Sequence, residues 1–305
     1  MKKILFLIII SFVFTQDRSA VITGRCLLEG ETDHSGVEVY FNAISGSAQS
    51  DMFLTDENGD FIAGLSEGIY NVQYIKEGYL PITLPDDFSF FDDMELDLVT
   101  LQIGQIIEVS GTFDGNQNWT DDFQYRVTGN LTLNYGDTLT INPGTEILFM
   151  DNYELEVRGV LHANGSEQDS IRFTSGRPIK NPGDWNRIRF SSSEDGSFLN
   201  YCILEYGGSQ IEDIFWQASV RLESSELIIN NSTLRHGRNT LINSIDGSSI
   251  TLNNSRLHDA TYGVTFYDSG SHYLNGNIFE DFPTNYSIYL LIEGTGEISN
   301  NQFYN

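Results

Sequence analysis

Basic residues are scarce in this chain. Lys and Arg together number 16 against 43 Asp and Glu, a formal net charge of −27 over 305 residues. So acidic a surface excludes binding to nucleic acid or to an anionic membrane, both of which need clustered cations. It suits a soluble extracellular surface that takes up divalent cations. Cysteine is scarcer still: Cys26 and Cys202 are the only two. They fall in different parts of the chain, which excludes the disulfide framework of small secreted domains, and both are expected to be buried apolar residues. Catalytic signatures are missing as well. There is no G-x-S-x-G, no H-E-x-x-H, no phosphate-binding loop and no Cys/His metal spacing, and the histidines at 34, 162, 236, 258 and 272 are scattered. No motif identifies a reaction.

One apolar run exists, and it is short. Met1, Lys2 and Lys3 precede about 11 apolar residues from Ile4 to Phe14. This is the pattern of a secretory signal peptide over residues 1–17, too short to span a bilayer, and no later segment is long enough. The mature chain is therefore expected to be secreted or held at the cell surface, with no membrane span.

What is abundant is repetition. Ile229-Asn-Asn-Ser-Thr-Leu234 recurs as Leu252-Asn-Asn-Ser-Arg-Leu257, Leu274-Asn-Gly-Asn-Ile-Phe279 and Ile298-Ser-Asn-Asn-Gln-Phe303, at spacings of 23, 22 and 24 residues. An earlier copy, Leu199-Asn-Tyr-Cys-Ile-Leu204, sits 30 residues before Ile229. A fixed period in the twenties, short β-rich pieces and no helical apolar period point to a coil of strands. The apolar residues that open and close each copy are expected to point into a shared core. The column Asn200, Asn230, Asn253 and Asn275 is expected to stack its amides at the strand spacing of about 4.8 Å. The fold class is all-β, with the repeats forming a right-handed parallel β-helix of about eight coils.

Residues 20–103 alternate short strands with Gly, Asp and Asn turns. The combination Ile22-Thr-Gly-Arg25, Gly36-Val-Glu-Val39, Thr55-Asp-Glu-Asn-Gly-Asp-Phe61, Gly68-Ile-Tyr70 and Gly78-Tyr79 resembles the carboxypeptidase regulatory-like family. That resemblance implies a prealbumin-like β-sandwich, a non-catalytic spacer on exported proteins. Residues 104–117 read as a connection. From 118 to 305, the runs Tyr125–Leu133, Gly136–Gly144, Thr145–Phe149, Leu155–Leu161, Ile171–Ser175 and Gly183–Phe190 resemble the opening coils of the pectin-lyase-like superfamily, as in surface proteins of bacteria with an outer membrane. The resemblance implies a fold and leaves function open, because that fold carries lyases, hydrolases, adhesins and stalks. The polygalacturonase-like motifs are absent in their order; Arg235-His-Gly237 and Pro178-Ile-Lys180 are faint echoes. The chain stops inside a repeat without a polar cap, so further coils or a sorting domain beyond Asn305 are expected.

Three sets of residues carry candidate chemistry. Asp56-x-Asn58-x-Asp60, with Glu67 in the twelfth place, echoes a calcium loop, but Phe61 holds the sixth place where that loop needs Gly. A plain hairpin turn is the competing reading. Aligning the repeats puts Asp259 and Asp281 in one column and His258 and Glu280 in the one before it. Two carboxylates about one strand spacing apart suit a retaining glycosidase or a cation site, whereas turns accept Asp, Asn and His for local reasons. Trp216, in an inserted loop, and Tyr262 and Tyr267 offer faces to sugar rings, while Trp185 reads as core. Ca²⁺ is the only cofactor these patterns admit. The expected function is a non-catalytic adhesive, glycan-binding or structural role, with an extracellular polysaccharide or cell-surface glycan as partner. The alternative is a polysaccharide lyase or glycoside hydrolase, disfavoured by the acidic surface and the lack of Lys after Lys180.

Overall fold

A computed structural model describes residues 19–45, 48–84, 87–209, 217–267, 270–282, 287–290 and 295–304, and among these there is no α-helix. The signal-like segment 1–17 and Trp216 lie outside the described residues. The chain divides into two compact units, one of residues 1–74 and 83–100, the other of 75–82 and 101–305.

The first unit is a pair of small sheets. Ser19–Leu28 pairs antiparallel with Asp60–Ser66 and parallel with Met94–Glu95. In the other sheet Glu38–Ser45 lies between Asp51–Leu54 and Gly68–Ile75, and Phe88–Phe90 pairs with Gly68–Ile75. Alternation sends Val39, Phe41, Tyr70, Val72 and Tyr74 inward to meet Ile22, Cys26 and Phe61 of the first sheet. Aromatic edges close this core: Phe41 stands 6.1 Å from Phe61 and 5.9 Å from Phe90.

The second unit is a parallel β-helix with three flanks. Phe123–Leu133 belongs to two of them, because its first part pairs with Glu146–Phe149 and its last with Glu154–Val157. The first flank continues through Ile171–Ser175, Cys202–Glu205, Thr233–Arg235, Arg256–His258 and Ile278–Glu280. The second runs through Arg187–Ser191, Ala218–Glu223, Thr240–Ile245 and Tyr262–Tyr267. The third stacks Gln117–Trp119, Thr138–Ile141, Val160–Asn164, Phe198–Asn200, Glu226–Asn230, Ser249–Asn253, Ser271–Asn275 and Thr295–Ser299.

The repeat register is the one the sequence suggests. Ile229, Leu252 and Leu274 form one inward column, and Leu234, Leu257 and Phe279 another, all fully buried. Each such side chain contributes about 1.5–3 kcal/mol before chain entropy is counted. The expected Asn column is also in register, on the outside of the third flank, where Asn253 Nδ2 donates to Asn230 Oδ1 at 3.0 Å. The residue after each Asn is left-handed, with φ of 48° at Tyr201, 50° at Asn231, 48° at Asn254 and 71° at Gly276. There the chain folds inward into a second, buried ladder. Cys202 N donates to Ser232 Oγ, Ser232 N to Ser255 Oγ, and Ser255 N to Asn277 Oδ1, at 3.0, 3.1 and 2.9 Å.

One boundary is corrected. The connection expected over 104–117 is the opening coil: Gln105–Thr112 is a strand in parallel register with Phe123–Leu133, and Gln117–Trp119 starts the third flank. Neither cysteine forms a disulfide, and both are buried as expected, Cys26 in the first unit and Cys202 in the second.

Candidate functional site

The first flank concentrates the titratable groups. Glu205, Arg235, His258 and Glu280 stand in one row, each one residue past an inward Leu204, Leu234, Leu257 or Phe279, so alternation points the row outward. The next residue of each coil is left-handed: Tyr206 at φ 64°, His236 at 51°, Asp259 at 51° and Asp281 at 55°. Asp259 and Asp281 are therefore turn residues in the same position of consecutive coils, as the aligned repeats place them.

Glu205 is fully buried and is the hub of the row's earlier half. Arg172 Nη1 and Thr174 Oγ1 donate to its Oε1 at 2.7 and 2.9 Å, and Arg235 Nε donates to its Oε2 at 2.8 Å. Burial alone would raise the Glu205 carboxyl, but the charges of Arg172, Arg235 and Lys180 hold it well below the usual range. Lys180 comes from the segment between Ile171–Ser175 and Arg187–Ser191. That segment is pinned by Asp184, whose Oδ2 accepts from Ser175 Oγ and Asn181 N, and by Trp185, stacked on Phe149 and donating to Glu205 O. Lys180 Nζ donates to Thr174 Oγ1 at 3.2 Å and lies 5.8 Å from the Tyr206 ring. Burial pushes this lysine down to about 8, against the pull of Glu205 and Glu146. Burial pushes Glu146 upward, opposed by Lys180 and Arg172.

The later half centres on Asp259. His258 Nδ1 donates to Asp259 Oδ2 at 2.7 Å, and His236 Nδ1 lies 3.5 Å from the same oxygen. Tyr206 stacks on His236 with centroids 5.1 Å apart. Burial raises the Asp259 carboxyl, yet the hydrogen bond from His258 and the His236 charge bring it below its ordinary value. The Nε2 of His258 is buried and accepts no hydrogen bond among the described residues. Glu280 is bonded to Arg256, and Asp281 is exposed. This is an orienting arrangement for an imidazole rather than two facing carboxylates: Asp259 sits beside two histidines, and Asp281 in the next coil is exposed.

The other sequence candidates fall elsewhere. Asp56, Asn58 and Asp60 lie in the turn between Asp51–Leu54 and Asp60–Ser66, which pair in different sheets, so the turn is not the hairpin expected. Asp56 Oδ1 accepts from the backbone N–H of Asn58 and Asp60, and the Asp60 carboxylate accepts two bonds from Arg25. Among the described residues no three His, Cys, Asp or Glu side chains converge as metal ligands. Tyr262 and Tyr267 are half-buried on the second flank, Tyr267 5.7 Å from Tyr289. Trp185 is core.

Glu205, Arg172 and Lys180 are absent from the sequence candidates. The repeat carries a signal for the first: six places after Leu199, in the copy one coil earlier, stands Glu205, in the row of Arg235 and His258. Lys180 has no such signal, because an inserted segment brings it in.

No family model matches this chain, and no curated protein does. Some solved structures are similar over part of it. A type II cohesin–X-dockerin complex from Acetivibrio cellulolyticus is 20% identical, with 28% of this chain and 59% of that one covered and a TM-score of 0.23. The Bacillus anthracis TIE protein is 16% identical, covering 32% and 19% at a TM-score of 0.22. A DUF3823 family protein from Parabacteroides merdae is 14% identical, covering 28% and 45% at 0.21. The chain thus spans less than two thirds of the length of each of these three.

Proposed function

We propose that this chain is an exported, non-catalytic protein of the cell exterior, with an adhesive or glycan-binding role for the β-helix. In this reading the first unit is a spacer of the carboxypeptidase regulatory-like kind, and the coils belong with the pectin-lyase-like β-helices of outer-membrane-bearing bacteria. The observation that carries it is the engagement of the first-flank carboxylates. Glu205 is held by Arg172 and Arg235, Asp259 by His258, and Glu280 by Arg256. A glycosidase needs two carboxyl groups facing a substrate, and a lyase needs a base beside a cation that neutralises a uronate. Neither is favoured by acids already bonded to their neighbours in a chain of net charge −27.

The test is to incubate the mature chain with neutral and uronate-containing polysaccharides. Retention in polysaccharide gels is measured beside release of reducing ends and of unsaturated products. Retention without cleavage is the expected outcome. Cleavage that disappears in Asp259→Asn while the variant still melts in one cooperative transition above the assay temperature would establish the enzyme instead.

A further inference from the structure

Between Val160 and Asn275 the outward face of the third flank carries almost no charge, and Glu297 on Thr295–Ser299 closes that stretch. From Val160–Asn164 to Ser271–Asn275, alternation turns fourteen side chains outward, and Glu226 is the only Asp, Glu, Lys or Arg among them. In a chain with 43 acidic residues this is a neutral strip on a strongly negative body. The first and second flanks, by contrast, carry the Glu205 network and the Arg187, Arg189 and Arg221 pairs with Glu154 and Glu223.

The strip has three rows. The central one runs His162, Phe198, Ile228, Thr251, Tyr273 and Glu297 in strict register, so its uncharged part ends at Tyr273. His162 and Phe198 stack at 4.8 Å, and Ile228 and Tyr273 are 43% and 48% exposed. On one side lies the row of amides from Asn164 to Asn275, and on the other are Ser249 and Ser271. Rungs lie about 4.8 Å apart, and neighbouring rows are separated by two residues of strand, about 6.6 Å. The result is a flat surface with an apolar, aromatic centre and hydrogen-bonding edges, repeated at a step comparable to the length of one pyranose ring.

We propose that this flank is the binding platform for an extended, uncharged polysaccharide, an assignment that rests on the glycan-binding reading above. The C–H faces of successive rings lie on Phe198, Ile228 and Tyr273, and equatorial hydroxyls meet the Asn amides and Ser hydroxyls at the edges. The ligand is neutral because the surface supplies no cation for a carboxylate, and the acidic body repels polyanions.

Retention of the full chain is measured in gels containing hydroxyethyl cellulose, galactomannan or polygalacturonate. The double variant Ile228→Ser with Tyr273→Ala is compared with Tyr267→Ala with Tyr289→Ala on the second flank. All four positions are at least partly exposed, and unchanged melting curves check that the variants fold. The expected result is retention by a neutral polymer, weakened at least tenfold by the third-flank variant and unchanged by the second-flank one. Retention lost only in the second-flank variant overturns the platform and leaves glycan binding standing. Retention by polygalacturonate alone overturns the neutral class. No retention of the parent by any of the three overturns the platform together with the reading it rests on.

Discussion

Two corners of the β-helix turn the chain with a left-handed residue, and they differ in the length of chain that comes after it. Between the third and first flanks the turn takes two residues in three successive coils, 231–232, 254–255 and 276–277. Its second residue points inward and continues the buried ladder of Ser232, Ser255 and Asn277. Between the first and second flanks the left-handed residue opens connections of unequal length, from 259–261 to 206–217. The constant corner sets the register of the stack. The variable one gathers chemistry, because Tyr206, His236 and Asp259 all stand in it and the inserted 176–186 brings Lys180 to Glu205. A connection free to vary in length can carry a charged side chain to a flank; one locked to its neighbours cannot.

The largest effect expected is from breaking the core that both corners enclose. Leu257→Asp places an unpaired charge between Leu234 and Phe279, with nothing in the column to solvate it. A loss above about 4 kcal/mol, or collapse of the β-helix transition, is expected in urea denaturation. A variant that melts like the parent would mean that this column does not face inward.

Glu205→Gln tests the variable corner. It leaves Arg172, Arg235 and Lys180 buried beside a neutral amide, an expected loss of about 3–5 kcal/mol. The direction of each pKa shift sets the sign of the pH dependence. The folded Glu205 pKa is depressed, so its stabilisation is present above the unfolded value of 4.5 and is lost as pH falls through the folded one. Lys180 is depressed too, to about 8, so the unfolded chain binds more protons between about 8 and 10.5, and stability rises with pH across that window. Glu205→Gln should flatten the acid limb of a stability–pH curve. An unchanged acid limb would show that the carboxylate is not the group being titrated.

Much of the constant corner is legible in the sequence, and little of the variable one is. The Asn and Leu columns recur because each coil must satisfy the same neighbours at the same place, so selection for packing writes a period into the chain. Asp259 and His258 are found by the same alignment, since they sit at its edge. Their partnership is not legible, because it depends on a side-chain hydrogen bond within one turn. The opening coil escapes for a different reason. Most of Gln105–Thr112 is exposed, which weakens the alternation that burial imposes, and Gly111, Asp114 and Gly115 read as turn signals. Trp216 and the inserted loops have no counterpart in other coils from which a register could be inferred.

Smaller changes refine the comparison. Asn277 is fully buried, accepts from Ser255 N and donates to Leu252 O. Asn277→Ala should cost about 1–3 kcal/mol by orphaning both. Asn277→Ser should cost less, since Ser255 and Ser232 fill this place in the two preceding coils. At the adjoining left-handed position, Asn254→Ala should lose about 1 kcal/mol because a Cβ without a local hydrogen bond disfavours φ of 48°. Asn254→Gly should be neutral or better, as Gly276 occupies that place one coil on. Equal melting temperatures for the Ala and Gly variants would remove backbone strain as a force at this corner.

The smallest effect is expected at Asp281, and it separates the two acids that the repeat aligns. Both are left-handed, and Asn tolerates that conformation as well as Asp does. Asp259 is half-buried and accepts from His258, so Asp259→Asn weakens a charge-assisted bond and should lower stability by about 1 kcal/mol. Part of that loss should vanish at low pH, where the parent carboxylate is itself protonated; its depressed pKa places the crossover below the ordinary carboxylate range. Asp281 is exposed, so Asp281→Asn should change stability by less than about 0.5 kcal/mol at any pH. If the two substitutions act alike, and the double variant loses more than their sum, the carboxylates are coupled and the pair would have to be reconsidered as one site. Additive effects, with nearly all of the loss at Asp259, are what a turn column with one acid recruited by histidines requires.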